Sequence, residues 1–115
     1  MARKPSAAQV THYAAMLAAL GTAPRLRILR LLLSAHPQGM VVGDIQDELR
    51  IPGSTLSHHL EKLKNEGLVT VRRDRQFLWY AAHAGALREL LAFLYEECCS
   101  RSKAIEPETV LQRCR

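Results

Sequence analysis

The residues with the most distinctive chemistry in this sequence are its cysteines: Cys98 and Cys99 are adjacent, and Cys114 follows fifteen residues after them. Thiolates are soft ligands, so an adjacent pair can chelate a soft, thiophilic ion such as trivalent arsenic or antimony. Neighbouring side chains within a regular helix point about 100° apart and would not converge on one ion, whereas at a fraying helix end they could. The pair therefore predicts thiolate chemistry, either alone or with Cys114 folding back to complete a three-sulfur site.

The same cysteines allow three other interpretations. The thiols could form a disulfide or a persulfide and act as a redox switch, or zinc or cadmium could be the bound ion. Cys98 could also be a small buried apolar residue with Cys99 beside it by chance. An odd number of cysteines near one end of a chain without an export signal is typical of free thiols in a reducing compartment, so we expect a cytoplasmic location.

A second set of residues could bind a polyanion. The sequence has sixteen Lys and Arg against eleven Asp and Glu, a formal net charge of +5, which favours a nucleic-acid partner. Short hydroxyl side chains at the start of a helix let its backbone approach the major groove closely, and a histidine can reach further towards the bases. A solvated polar surface is the alternative, but such a surface usually carries Glu and Lys throughout. The expected DNA contacts in this segment are Ser54, Thr55, Ser57, His58 and Lys62.

A cluster of arginines follows this segment. Holding several arginines together is costly unless phosphates neutralise them, so we expect the cluster to contact the DNA backbone. His59, by contrast, projects towards the leucine side of its helix and is expected to be a packed, hydrogen-bonded structural histidine. The expected phosphate contacts are Arg72, Arg73, Arg75 and Gln76.

These residues must be positioned by helices and one hairpin. Apolar residues at helical spacing predict five helices, with Ser6 and Thr22 as N-caps and Gly67 as a left-handed residue after the fourth helix. Alternating β-branched and aromatic residues predict two strands joined by Asp74 and Arg75. The predicted helices cover 6–20, 22–35, 43–50, 54–66 and a stretch from 84 onwards, and the predicted strands cover 68–73 and 76–81.

This order predicts a mainly α fold with a small β-hairpin, a winged helix-turn-helix of five helices plus a two-stranded wing. The apolar stripes of the first and last helices exceed what so small a domain needs internally, which favours a homodimer joined through those helices. We expect the domain to span 1–102 and a polar tail to span 103–115. The leucines expected to face inward on the fourth helix are Leu56, Leu60 and Leu63, and the stripe of the last helix is Leu87, Leu90, Leu91, Leu94 and Cys98.

Three runs, LGTAPRLRILRLL, IPGSTLSHHLEKLKNEGLVTVRRD and FLWY, resemble the ArsR/SmtB family of bacterial metal- and metalloid-responsive repressors over residues 10 to 99. The resemblance implies a dimeric repressor of double-stranded operator DNA that a ligand releases. Two departures stand out. Arg75 occupies the place near the wing turn where the family usually has Gly, and Pro52-Gly53 replaces the usual cap, so Ser54 is expected to cap the fourth helix instead.

The resemblance also narrows the ligand. The short third helix lacks the cysteines of the family's best-known arsenic site, and the last helix, with only His83, lacks the paired pattern of the zinc sensors. A Cys-Cys pair at the end of the last helix resembles other arsenic-sensing members, so the expected inducer is arsenite, methylarsenite or antimonite bound by Cys98, Cys99 and Cys114. We expect no enzymatic activity and no membrane partner, because the sequence has neither a nucleotide loop nor a metalloprotease motif nor a long apolar span.

Overall fold

The computed structural model describes the backbone of residues 4–101, 106, 108 and 110, and the side chains of these residues except 97–101. It confirms the winged helix-turn-helix order with five helices. The expected division into a domain of 1–102 and a tail of 103–115 depends largely on residues outside those described. The elements are α1 (Ala7–Leu20), α2 (Ala23–Ser34), β1 (Met40–Val41), α3 (Val42–Leu49), α4 (Gly53–Asn65), β2 (Val69–Asp74), β3 (Phe77–Ala82) and α5 (Ala84–Arg101).

Local side-chain and backbone bonds set the ends of three helices. Ser6 and Gln9 form a reciprocal capping box. The backbone amide of Gln9 donates to Ser6 Oγ at 3.1 Å, and the backbone amide of Ser6 donates to Gln9 Oε1 at 3.0 Å. Thr22 Oγ1 accepts from the Arg25 amide at 3.4 Å. Gly67 has a φ of 73° after α4, and the Leu68 amide donates back to the Leu63 carbonyl at 3.0 Å. Both predicted N-caps and the left-handed glycine are therefore confirmed.

The core lies between α2, α3 and α4 and is closed by the wing and by α1 and α5. Leu56, Leu60 and Leu63 on α4 are at most 1% exposed, which confirms their predicted inward direction. Burial of a leucine side chain stabilises a fold by about 1.5–3 kcal/mol, so this row fixes the rotation of α4 about its own axis. The opposite side of α4 must consequently face out. The other side chains that are buried to less than 2% exposure are Met16, Ile28, Leu32, Ile45 and Leu68.

The sheet has three antiparallel strands in the order β1-β3-β2. The predicted two-stranded wing is confirmed as the β2–β3 hairpin, and β1 is an additional strand that the sequence analysis did not predict. β1 pairs with β3 through Met40 opposite Tyr80 and Val41 opposite Trp79. Gly39 allows this close approach: its φ is 84°, and a Cβ built on it would lie 2.1 Å from the Tyr80 carbonyl oxygen. A strand of two residues is too short to show alternation, and it exists only because β3 pairs with it.

The apolar stripes of α1 and α5 are only partly used within the chain. The Tyr13 and Phe93 rings stack with their centroids 4.4 Å apart and join the two helices. Leu90 is 2% exposed, but Leu91 is 57% and Leu94 49% exposed, as are Val10 (48%) and Leu17 (44%) on α1. Within the protomer, α5 therefore buries Leu90 of its predicted stripe and leaves Leu91 and Leu94 exposed. None of the helices in the described part of the chain is long and apolar enough to cross a bilayer.

Candidate nucleic-acid interface

The exposed side of α4 carries the polar residues that the sequence singled out. Because the three leucines fix the rotation of this helix, its hydroxyl and imidazole side chains face outward. Every candidate in this segment has an exposed side chain, namely Ser54, Thr55, Ser57, His58 and Lys62. The structure thus brings the α4 candidates to one accessible surface.

The start of α4 differs from the expected one. The N-cap is Pro52, not Ser54, and the Leu56 amide donates to the Pro52 carbonyl at 2.8 Å as the first helical hydrogen bond. The prediction that Ser54 caps this helix was wrong because Pro52, with a φ of −56°, supplies both the extended entry and the first acceptor. Ser54 consequently lies inside the first turn, with its hydroxyl on the surface.

The first turn of α4 is electrostatically open to an anion. Within the described residues, no side chain caps this end of the helix, and its first turn contains no acidic residue. The first amides of a helix have no intrahelical acceptor, and the helix dipole places partial positive charge there. Such an end binds phosphate oxygens well. The backbone of Gly53, which the sequence prediction left outside the helix, therefore belongs to the candidate site.

His59 lies on the inner edge of the same helix. Its ring is half-buried, as expected, but Nδ1 is a buried atom with no hydrogen-bond partner in the described part of the chain, so the expected hydrogen bond is absent there. Burial lowers the pKa of His59 first, and the positive charges of Arg25 and His58 lower it further. The lowered pKa favours the uncharged ring, and its partial burial separates its environment from that of exposed His58.

The tip of the wing projects three of the candidate side chains into solvent. Arg73, Arg75 and Gln76 are all exposed, and the two-residue turn is Arg75-Gln76, because Asp74 pairs with Phe77 across it. The predicted turn at Asp74-Arg75 was therefore one residue too early. Arg75 has a φ of 59°, the left-handed backbone for which glycine is the usual residue. An arginine at this position adds a cation at the tip at the cost of backbone strain.

Arg72 has a different environment from the tip residues. Its Nη2 donates to the Gln38 carbonyl at 3.3 Å, and its Cζ lies 4.9 Å from the centre of the Trp79 ring. Arg72 and Trp79 are opposite each other in the β2–β3 register. Arg72 therefore joins the wing to the loop after α2 and orients the hairpin. Counting residue pairs outward finds the arginine–tryptophan pair only from the turn at Arg75-Gln76, because the same count from the predicted turn pairs Arg72 with Phe77.

The thiol candidates lie outside the residues whose side chains are described. The backbone of α5 is helical as far as Arg101 and so includes Cys98 and Cys99, but their side chains, and Cys114 altogether, fall outside the description. Among the side chains that are described, no group of three His, Cys, Asp or Glu residues could hold a metal ion. The predicted thiolate site stays a prediction.

Comparison with known proteins agrees with this geometry. A family model described as a helix-turn-helix domain matches residues 20–72, which include α2 to α4. The nodulation protein NolR of Rhizobium meliloti is 30% identical over 100 residues, which are 87% of this chain and 80% of NolR. The uncharacterized HTH-type transcriptional regulator MJ1325 of Methanocaldococcus jannaschii is 37% identical over 78 residues, which are 68% of this chain and 85% of MJ1325.

Solved structures extend the likeness to the whole winged fold. The homodimeric winged helix-turn-helix domain of Mb0332 from Mycobacterium bovis, described as a possible ArsR-family regulator, is 28% identical with a TM-score of 0.64, over 88% of this chain and 93% of that one. Reduced HlyU from Vibrio cholerae is 32% identical with a TM-score of 0.60, over 76% and 92%. The transcriptional repressor BigR from Xylella fastidiosa is 27% identical with a TM-score of 0.61, over 76% and 86%.

Proposed function

Since this chain belongs to the winged helix-turn-helix family of transcriptional regulators, we propose that it is a dimeric repressor of the ArsR/SmtB type. It binds double-stranded operator DNA and leaves the operator when a trivalent arsenical binds its cysteine thiolates. The DNA-binding part of this proposal is supported most directly by the surface of α4. That helix presents an uncapped, acid-free first turn and a row of short polar side chains, while its leucines fix the direction of the row.

The operator contacts divide by chemistry. Ser54 and Thr55, beside the open helix end, are suited to phosphate oxygens, while Ser57 and His58 on the next turn are suited to base edges in the major groove. Arg73 and Arg75 at the wing tip add mobile, delocalised charge for the phosphates beyond the groove. Position and specificity are thereby assigned to different side chains, which makes them separable by substitution.

The proposed dimer is supported by apolar side chains that the protomer leaves exposed. Four large aliphatic side chains on α1 and α5 are between 44% and 57% exposed, and exposed apolar surface favours a protein interface. A twofold axis along these helices would present two copies of α4 to DNA half-sites ~34 Å apart. The aliphatic side chains are Val10, Leu17, Leu91 and Leu94.

The proposed inducer site is the Cys98-Cys99 pair, with Cys114 as the third ligand. Because the α5 backbone is helical through this pair, bringing two adjacent residues of a helix onto one ion requires that turn to deform. The turn continues the helix that carries Leu91 and Leu94, so the deformation would be transmitted to the dimer seam. A hundredfold loss of operator affinity requires a coupling free energy of only ~2.7 kcal/mol.

A thiol redox response is the second candidate, because a similar solved structure is described specifically as reduced HlyU. Here a disulfide or persulfide at the same cysteines, rather than a bound arsenical, would release the operator. A strong reductant distinguishes the two candidates. It prevents oxidation of the thiols and should therefore block a redox response, but it leaves the thiolates free to bind arsenic.

The test is a fluorescence-anisotropy titration of the operator complex in excess phosphine reductant, which lacks a thiol that could compete for arsenic. Arsenite, methylarsenite, antimonite, zinc and cadmium are added separately. We expect the arsenicals and antimonite to release the operator from the wild type, and the Cys98→Ser, Cys99→Ser double variant to bind DNA normally and stay bound. Release of that variant by arsenite would refute the site, and release of the wild type by an oxidant, in a parallel titration without the phosphine, would favour the redox candidate.

The single Cys114→Ser variant determines the number of sulfurs. If Cys114 is a ligand, its replacement should weaken the response to arsenite, which takes three thiolates, more than the response to methylarsenite, which takes two. Equal responses of this variant and the wild type to both arsenicals would show that the adjacent pair suffices.

A further inference from the structure

A cleft lies between α1, the start of α2 and the C-terminal half of α4, on the side of α4 that also carries His59. Its volume is about 320 Å³, which is within the range of small-molecule sites. The α1 wall consists of alanines, whose short side chains leave the space open. The polar lining comes from Arg25 on α2, from Lys62 and Asn65 on α4, and from Glu66, the C-cap residue of α4. We name it the α1–α2–α4 cleft.

Arg25 and Lys62 bring two positive charges to this cleft, against the single carboxylate of Glu66. Among the described residues, the ion pair between Lys64 and Glu61 is the one found, so neither cation of the cleft forms an ion pair with a carboxylate there. Arg25 Nε is moreover a buried donor without a hydrogen-bond partner. Because Nε has almost no accessible surface, an oxygen from outside cannot reach it, and the guanidinium can meet a ligand in the cleft only through its Nη–H groups.

The start of α2 strengthens the positive potential. Arg25 lies in the first turn of this twelve-residue helix, which contains no acidic residue, so the dipole of α2 adds to the guanidinium charge. The positive potential of Arg25 extends to α4, because the charge of Arg25 contributes to the lowered pKa of His59. Glu66 is the one acid in the lining, and it leaves the described part of the cleft with an excess of cations.

We propose that the α1–α2–α4 cleft is a binding site for a phosphate-like oxyanion, which Arg25 and Lys62 hold. The guanidinium of Arg25 offers the N–H groups of its two Nη atoms in a planar fork that matches two oxygens of one phosphate. Lys62 supplies a point charge, and the amide of Asn65 can donate to a third oxygen. The oxyanion has two possible sources, a free phosphorylated small molecule or a backbone phosphate of bound DNA, and the experiments below distinguish them.

The first arm contains no DNA, so it does not rest on the proposed function. The dimer is titrated with inorganic phosphate against chloride at constant ionic strength, and the Arg25 Nε–H and the His59 ring are followed by NMR. A free-anion site predicts a saturable shift of Arg25 Nε–H and a higher pKa of His59, because the anion cancels the charge of Arg25. Arg25→Gln should abolish the saturation, whereas Arg27→Gln, which alters an exposed arginine of the same helix, should preserve it.

The second arm uses duplex DNA and rests on the proposed function. If the oxyanion is a backbone phosphate, Arg25 Nε–H should shift on DNA binding, and Arg25→Gln should reduce the slope of log affinity against log salt by about 0.9 per protomer. Arg25→Lys keeps the charge but lacks the guanidinium fork, so it should retain the slope. The proposal is overturned if phosphate and chloride act alike in the first arm and Arg25→Gln binds DNA with the wild-type slope. If DNA binding itself fails, the first arm still decides the free-anion source.

Discussion

Removing the wing-tip arginines should reduce the salt dependence of DNA binding. The expected reduction is calculated from the number of exposed arginines at the two wing tips. Arg73 and Arg75 are both exposed at the tip, so a dimer presents four such cations. Each phosphate contact contributes about 0.9 to the slope of log affinity against log salt, and the Arg73→Ala, Arg75→Ala variant should therefore lose about 3.6 units. Between 50 and 200 mM salt, the wild type should consequently lose about 150-fold more affinity than the variant.

The assay is fluorescence anisotropy with a labelled duplex at five salt concentrations, on operator and on scrambled DNA. The loss should be similar on both duplexes, because phosphate contacts carry no sequence information. Arg88→Ala is the matched control, since it removes an exposed arginine from α5 rather than from the wing. An unchanged slope in the double variant, with the fold intact by circular dichroism, would refute the assignment of the wing tip to the DNA backbone.

Five further substitutions test four separate features of the molecule. Ser57→Ala and His58→Ala should each reduce the preference for operator over scrambled DNA by ~1–3 kcal/mol if they read bases directly, and equal losses on both duplexes in competition binding would contradict this. Gly39→Ala should destabilise the fold by more than about 4 kcal/mol in urea unfolding, because its Cβ would meet the Tyr80 carbonyl at 2.1 Å; a near-neutral effect would mean that β1 does not pair as described. Leu91→Glu should yield monomers or unfolded chains in sedimentation, because the dimer would bury an unpaired carboxylate, and an unchanged dimer would place the seam elsewhere. His59 has a lowered pKa in the folded state, so the unfolded chain binds its proton more readily and stability should fall as pH drops through and below about 6.5; His59→Gln should flatten that part of the pH profile, and a profile identical to the wild type would show that the histidine does not contribute.

The rotation of α4 could be predicted from the sequence because it depends on a local pattern. Leu56, Leu60 and Leu63 recur at helical spacing, and burial of that row leaves the polar residues outside whatever the remaining fold does. The two N-caps were predictable for the same reason, since a capping hydroxyl and its amide lie three residues apart in the chain.

The features that the sequence analysis missed depend on long-range partners or on the backbone. β1 is formed by pairing with a strand almost forty residues away, and two residues show no periodicity. The carbonyl and the fixed φ of Pro52 determine where α4 begins, whereas the sequence prediction assumed a side-chain cap at Ser54. Whether His59 has a hydrogen-bond partner depends on the neighbouring residues of α2. The spacing of residues along α4 contains no information on those neighbours.

At position 75 the sequence predicted the unusual residue near the wing turn correctly but placed the turn itself wrongly. The departure from the family's glycine was visible in the sequence, and the structure places Arg75 in the left-handed backbone that the glycine would favour. The exact turn was nevertheless one residue later than predicted. Strand register, which decides this, is set by pairing across the whole hairpin rather than by the turn residues alone.

If two copies of α4 read a duplex with twofold symmetry, selection from random duplex DNA by the purified dimer should recover that symmetry. We expect enrichment of an inverted repeat whose half-site centres are about 10 base pairs apart, bound by one dimer per duplex, with enrichment lost in the Ser57→Ala, His58→Ala variant. A selected pool that stays indistinguishable from the starting library, or an enriched sequence that the variant binds equally well, would show that α4 does not read the operator.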